Sequence, residues 1–129
     1  MLELREILKI KKEHWDNLNK LQQAVNKLRL AYGKPLTVTS GYRSVDDHIR
    51  IYKEKGITDK SKIPMKSKHL SGLACDLVCD DLEDFKNFII KNEKLCEELN
   101  LYFEHFDATP TWVHCQITPP ASGKRFFYP

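Results

Sequence analysis

Three side chains suited to binding a metal ion stand out in the sequence: His69, Asp76 and His114, each at the end or edge of a predicted strand. Imidazole nitrogens and carboxylate oxygens are common zinc ligands. His69 and Asp76 are seven residues apart, which would place them on opposite faces of an unbroken strand. On a helix they would lie about 10 Å apart along the axis, too far for one ion. Only a bend lets both reach one metal, and Ser71-Gly72 can supply it.

A carboxylate is expected beside the third of these residues, His114, which lies in a strand-like run of β-branched and aromatic residues. If residues 107–111 form a hairpin loop, Glu104 falls opposite His114 on the same face. A register shifted by one residue would place His105 there instead. We favour Glu104 over His105, with Asp107 as a third candidate.

Two histidines and one aspartate leave a zinc ion one ligand short of four, which is typical of catalytic rather than structural sites. Such an ion lowers the pKa of its bound water from about 15.7 to about 7, and a nearby carboxylate can take the proton. This pattern predicts metal-assisted hydrolysis of an amide, with Glu104 as the base. Arg43, at a strand-to-helix junction, could hold a substrate carboxylate or stabilise the oxyanion. The alternative for Arg43 is a surface arginine near Asp46 or Asp47.

The elements that must position these residues follow from hydrophobic periodicity and from turn residues. Apolar residues at helical spacing predict a helical N-terminal part over about 3–32, either one long helix or two, with Asp16 capping the second. The remaining predictions are strands at 36–39, 73–79, 101–106 and 112–117, helices at 44–55 and 82–99, an exposed lysine-rich loop at 57–68, and an extended C-terminal tail at 118–129 whose aromatic residues pack back on the domain.

Length and composition indicate one globular domain over 1–129, with a metal-binding core at about 36–117. A hydrophobic content of 41%, with 30% charged residues, excludes disordered and low-complexity classes. A net charge of +3 is too small for a dedicated nucleic-acid binder. No apolar run reaches the length of a membrane span, and the N-terminus lacks the features of a signal peptide. We therefore expect synthesis in the cytoplasm, no membrane or nucleic-acid partner, and four cysteines that remain reduced.

Three ordered motifs occur along the chain: Ser40-Gly41-Tyr42-Arg43-Ser44, Ser67-x-His69-x-x-Gly72-x-Ala74-x-Asp76 and Trp112-Val113-His114. Together they resemble the zinc peptidase family that contains the D-Ala-D-Ala carboxypeptidases and the L-alanyl-D-glutamate endopeptidases of phage lysins. The resemblance covers roughly residues 15–117. It implies the hedgehog/DD-peptidase fold, an α+β domain with helices flanking a small antiparallel sheet, and peptidoglycan stem peptides as the substrate.

Residue by residue, the resemblance places one zinc ion on the two histidines and the aspartate already singled out. It makes Arg43 the residue that polarises the substrate, and we expect Ser67 and Trp112 to contribute to substrate binding. One position departs from the pattern of many members, which carry an acidic base three residues before the second histidine. This chain has Thr111 there, whereas phage-type members that resemble it more closely carry a glutamate at the place of Glu104.

The sequence therefore predicts a monomeric zinc metallopeptidase that acts on the bacterial cell wall, after release from the cell or as a virion component. The prediction covers both carboxypeptidase and endopeptidase activity. One alternative is a catalytically silent member that keeps zinc for stability and binds the cell wall or a protein. Another is a basic nucleic-acid module that uses the lysine-rich loop, for which we would expect steeply salt-dependent binding.

Overall fold

The computed structural model describes residues 12–41, 45–62 and 68–129, and Arg43 and Ser67 lie outside these ranges. Within them the chain forms four α-helices, two short 3-10 turns and five strands. The helices are α1 (Lys12–Tyr32), α2 (Val45–Glu54), α3 (Leu82–Lys91) and α4 (Glu93–Glu98), the 3-10 turns are Lys60–Lys62 and Lys68–Ser71, and the strands are β1 (Thr37–Ser40), β2 (Ala74–Val78), β3 (Tyr102–Glu104), β4 (Val113–Gln116) and β5 (Phe126–Phe127). None of the described helices is both long and apolar enough to cross a membrane.

The strands form one sheet in the order β1-β2-β4-β3-β5, so the fold is α+β with a small sheet and helices, as predicted. β2 and β4 pair antiparallel with Asp76 opposite His114. β4 also pairs antiparallel with β3. The central strands therefore bring residues 38 positions apart in sequence into direct opposition.

The C-terminal tail differs from the expected arrangement because it adds a strand, and that strand is parallel. The prediction of an extended tail did not include this pairing, so the sheet is not wholly antiparallel. Backbone hydrogen bonds run from Phe103 N to the Arg125 carbonyl at 2.8 Å and from His105 N to the Phe127 carbonyl at 2.6 Å. These bonds satisfy amides on the outer edge of β3 that would otherwise be unpaired.

The hydrophobic core lies between the sheet and the helices α1 and α3. Helical spacing explains which side chains enter it, since α1 contributes Leu21 and Leu28, and α3 contributes Phe85 and Ile89. The sheet adds a set of fully or nearly fully buried residues. These are Cys75, Leu77, Phe103, Val113 and Cys115.

The two cysteines that flank candidate metal ligands face this core, as strand alternation predicts. Cys75 lies directly opposite Cys115, with the two sulfur atoms 3.4 Å apart and both thiols free. The hydrogen bond with Cys75, together with burial, raises the pKa of the Cys115 thiol. Burial likewise raises the pKa of the Cys96 thiol to about 11. These thiols serve packing in the neutral form.

The helices decide between two open alternatives and correct one expectation, while residues 3–11 of the predicted N-terminal helical part lie outside the described residues. Asp16 lies inside α1, so the described part of the N-terminal region is a single helix. The prediction of one helix over 82–99 is wrong, because the chain breaks at Asn92 into α3 and α4. The Asn92 side-chain amide donates to the Phe88 carbonyl at 2.8 Å, and the residue has a φ of −117° and a ψ of 37°. An asparagine that bonds to a nearby carbonyl competes with helical hydrogen bonding, which explains the break.

Candidate metal centre

His69 lies in the 3-10 turn Lys68–Ser71 rather than at a strand end, and the chain then bends at Gly72 before entering β2. Gly72 has a φ of +75°, a conformation that glycine adopts without steric cost. A Cβ there would lie 3.0 Å from the His14 backbone carbonyl, so the site has little room for a side chain. The bend brings His69 Nε2 to 3.4 Å from Asp76 Oδ1. The predicted bend is therefore what allows these two side chains to meet.

His114 completes the cluster from the neighbouring strand. Because Asp76 and His114 are directly opposite in the β2–β4 register, His114 Nδ1 lies 3.0 Å from the same Asp76 Oδ1. One potential ligand atom from each of the three residues lies within 4.8 Å of the other two. The side chains of His69, Asp76 and His114 are only 6%, 15% and 8% exposed. The structure thus brings together the three residues that the sequence analysis selected.

Hydrogen bonding decides which ring nitrogens face the centre. His69 Nδ1 lies 3.0 Å from the Gly41 carbonyl, which can only accept, so Nδ1 carries the proton and Nε2 presents its lone pair to Asp76. His114 Nε2 lies 2.9 Å from Gln116 Oε1, also an acceptor, so its Nδ1 presents a lone pair to Asp76.

Two imidazole lone pairs and one carboxylate oxygen therefore converge in a nearly buried space. Three acceptors without a shared donor repel one another, and a buried carboxylate without a partner is costly. A cation between them removes both problems, and a set of two nitrogens and one oxygen suits zinc. The donor chemistry of the cluster therefore fits the predicted ion.

The pKa values show how strongly this cluster favours positive charge beside Asp76. Burial alone raises the pKa of Asp76, but when the ring nitrogens that face it take up protons, their hydrogen bonds from His114 and His69 outweigh burial and lower the pKa well below its usual range. Burial alone lowers the pKa of His114, but Asp76 and Glu104 outweigh it and raise the pKa overall. The carboxylate thus stays ionised next to the two rings.

Glu104 is the carboxylate that the structure places beside the cluster. β3 pairs with β4 through Tyr102 opposite Gln116 and Phe103 opposite Cys115, and one further step of this register puts Glu104 opposite His114. Glu104 Oε1 lies 3.9 Å from His114 Nε2, and the Glu104 side chain is 21% exposed. The favoured register is therefore the observed one, although the connection between β3 and β4 is longer than the five residues expected.

The alternatives to Glu104 point elsewhere. The His105 ring stacks on Tyr128 at 4.6 Å between centroids, and its Nδ1 lies 3.4 Å from an Asp107 carboxylate oxygen. The Asp107 side chain is 79% exposed. His105 is therefore engaged with Asp107 and with the tail, and Glu104 is the acid beside His114.

Of the three predicted substrate-binding residues, the structure describes only Trp112. Trp112 is half-buried and comes immediately before β4. Arg43 and Ser67 lie outside the described residues. The segment that leads towards Arg43 does reach the cluster, because the Gly41 carbonyl contacts His69.

Sequence reasoning did not find two contacts of His114. Strand alternation places Gln116 on the same face as His114, but its hydrogen bond to the ring was not predicted. Phe127 packs edge-on against the His114 ring, with 6.3 Å between centroids. This contact depends on the parallel pairing of the tail, for which the local sequence gives no signal.

Comparison with known proteins identifies one family whose match spans the candidate metal centre. A family model described as Peptidase M15 matches residues 3–116, which include the cluster and Glu104. No curated protein sequence matches the chain. A solved structure of a mutant vancomycin resistance D,D-pentapeptidase, VanY from the VanB-type resistance cassette, in complex with Zn(II), is similar at 22% identity. The similarity covers 84% of this chain and 73% of that one, with a TM-score of 0.43.

Proposed function

Since this chain belongs to the peptidase M15 family and is a zinc metallopeptidase, we propose that it hydrolyses an amide bond in the stem peptides of peptidoglycan. The bond would be of the D-Ala-D-Ala carboxypeptidase or L-Ala-D-Glu endopeptidase type, as in phage lysins. The observation that carries the proposal is the convergence of two imidazole lone pairs on one carboxylate oxygen, with a second carboxylate beside them.

In this proposal His69, Asp76 and His114 hold the metal. Bound zinc supplies Lewis acidity, which polarises the scissile carbonyl and makes water a stronger nucleophile. Glu104 acts as the general base, takes the proton from the attacking water and passes it to the leaving amine. Its partly exposed position in the sheet, next to His114, leaves its carboxylate accessible to water and substrate.

Substrate binding is assigned to Arg43, Ser67 and Trp112. Arg43 would hold a substrate carboxylate or stabilise the developing oxyanion, a role suited to a planar guanidinium with several donors. The contact of Gly41 with His69 supports this, since Arg43 is only two residues further along. Trp112 would form part of the cleft wall at the start of β4. We propose that the protein is a monomer and acts on the wall after release or as a virion component.

A second candidate function is a catalytically silent, zinc-stabilised module that binds the cell wall or a protein. Thr111 favours it, because many relatives of this type carry their acidic base at that position. Digestion of purified peptidoglycan distinguishes the two functions.

The test compares the parent with Glu104→Gln and with a matched control, Glu97→Gln, an exposed residue of α4. The parent and the control should release new peptide termini, identified by mass spectrometry, and a chelator should abolish the release. Glu104→Gln should bind zinc but lose roughly 10²–10⁴-fold in rate, because general base catalysis typically contributes that much. Unchanged hydrolysis in Glu104→Gln would remove Glu104 from the mechanism. A zinc-loaded parent that releases no peptide would support the silent module.

A further inference from the structure

We propose that Gln116 is a positioning residue that fixes the proton of His114 on Nε2, so that Nδ1 faces the metal and Glu104 stays free. The inference rests on the proposed zinc centre and adds a residue to it. Gln116 is only 4% exposed and lies two residues after His114 on the same strand, β4. Its amide therefore meets the ring away from bulk water.

The orientation of the Gln116 amide is fixed by a second contact. The amide nitrogen donates to the Thr118 carbonyl at 2.8 Å, and a carbonyl can only accept. The amide oxygen must therefore face His114, where Oε1 lies 2.9 Å from Nε2. Because an amide oxygen cannot donate, His114 must carry its proton on Nε2. A backbone carbonyl thus determines, through one side chain, which nitrogen of His114 is protonated.

The consequence for the metal is that Nδ1 keeps its lone pair and lies 3.0 Å from Asp76 Oδ1. His69 is held in the complementary way, with the Gly41 carbonyl on Nδ1 and Nε2 facing Asp76. Groups that orient ligand histidines in this way tune metal affinity, and their loss typically costs 10–100-fold. Gly41 acts through its backbone, so Gln116 is the member of this pair that side-chain substitution can test.

A second consequence concerns Glu104. Its Oε1 lies 3.9 Å from the same His114 Nε2, beyond hydrogen-bond distance. Gln116 accepts the hydrogen bond from the His114 Nε2–H group. The Glu104 carboxylate therefore makes no hydrogen bond to that group. If Gln116 lost its acceptor, the ring N–H would turn towards Glu104, the other acceptor that the structure places nearby. Gln116 therefore keeps the proposed base separate from the metal ligand.

The first experiment measures zinc affinity of the full chain by competition with a chromophoric chelator. Gln116→Met has a similar volume and no acceptor, and we expect its zinc affinity to fall roughly 10–100-fold. The matched control is Gln22→Met, an exposed residue of α1, which should bind zinc like the parent.

The inference is overturned if Gln116→Met binds zinc as tightly as the parent. A parent that binds no zinc overturns the proposed metal centre itself, so the two failures are distinguishable.

A second measurement needs no variant and covers the case in which Gln116→Met does not fold. Nitrogen-15 NMR of the zinc-loaded parent reports which nitrogen of each histidine ring carries the proton. We expect His114 to be protonated on Nε2 and His69 on Nδ1, with the other nitrogen of each bound to zinc. Zinc bound through Nε2 of His114 would overturn the inference.

Discussion

One carboxylate oxygen, Asp76 Oδ1, lies within 3.4 Å of an imidazole nitrogen from each of His69 and His114. A neutral histidine ring has a single N–H group. If His69 or His114 donated it to Asp76, the ring would lose its hydrogen bond to the Gly41 carbonyl or to the Gln116 side chain, respectively. At the scale of single residues, the proposed metal site therefore depends on which nitrogen of each ring carries the proton.

Outside the metal centre, the Asp84 carboxylate is also held by two neighbouring side chains, and its pKa leads to a prediction about stability and pH. The Tyr32 hydroxyl and the Lys34 ammonium each donate to Asp84 Oδ2 at 2.8 Å, and these bonds, that from Lys34 first, lower the pKa of Asp84. A lowered native pKa stabilises the fold above the unfolded pKa near ~4, and this stability is lost as pH falls through the native pKa.

We therefore expect Asp84→Asn to lower the free energy of unfolding at neutral pH, with the difference from the parent shrinking as the pH falls below about 4. Urea unfolding of both proteins across this pH range measures the difference. A difference that stays constant with pH would show that the ionised carboxylate is not its source.

At the scale of elements, the turn at Gly72 between the 3-10 turn Lys68–Ser71 and β2 positions His69. We expect Gly72→Ala to lower the free energy of unfolding by about 2 kcal/mol or more, since a left-handed conformation costs an L-residue roughly 1–2 kcal/mol. Contact with the His14 carbonyl adds to this cost. Zinc affinity should fall as well, because His69 would shift.

The matched control for this prediction is Gly56→Ala. Gly56 has a φ of +87°, but a Cβ there meets nothing within 4 Å. It therefore carries the conformational cost without the contact, and its zinc affinity should equal that of the parent. Chemical denaturation and chelator competition measure the two effects, and equal losses at both glycines would contradict the role assigned to the turn.

The connection between β3 and β4 is held by a buried lysine of α3. Lys86 Nζ donates to the carbonyls of Thr109 at 2.8 Å and Pro110 at 3.3 Å and lies over the Phe106 ring. These contacts anchor the turn that sets Glu104 opposite His114.

We expect Lys86→Met to destabilise the protein by about 1–3 kcal/mol, because the buried Thr109 carbonyl would lose its donor. Lys91→Met, at the exposed end of the same helix, should change stability by less than about 0.5 kcal/mol. Denaturant unfolding compares the two variants. Equal effects would mean that Lys86 does not anchor the turn.

At the scale of the whole molecule, we expect bound zinc to stabilise the fold, because its ligands come from segments that are far apart in the sequence. Zinc binds the native arrangement, in which His69, Asp76 and His114 converge, so binding stabilises the fold by mass action. At a zinc concentration 100 times the dissociation constant, this contribution is about 2.7 kcal/mol.

Adding a chelator should therefore lower the melting temperature of the zinc-loaded parent, measured by calorimetry. Asp76→Asn, which lacks the central carboxylate, serves as the control and should melt at a temperature that the chelator does not change. A parent whose melting temperature is also unaffected would argue against zinc at this cluster.

The sequence by itself identified the features that depend on local chemistry. Residue type and spacing selected His69, Asp76 and His114, and the need for a bend pointed to Gly72. The expected loop at 107–111 between two strand-like runs favoured Glu104 as the partner of His114. Each of these depends on a few neighbouring residues, whose conformational preferences are visible in the chain.

Only the tertiary structure decided how those features are held. The parallel pairing of the tail with β3 and the packing of Phe127 on His114 are absent from any local pattern. The same is true of the proton on each ring, which is set by acceptors at Gly41 and Gln116. The reason is physical: a hydrogen-bond partner is fixed to within a few tenths of an ångström by packing between segments, and spacing along the chain does not contain that distance.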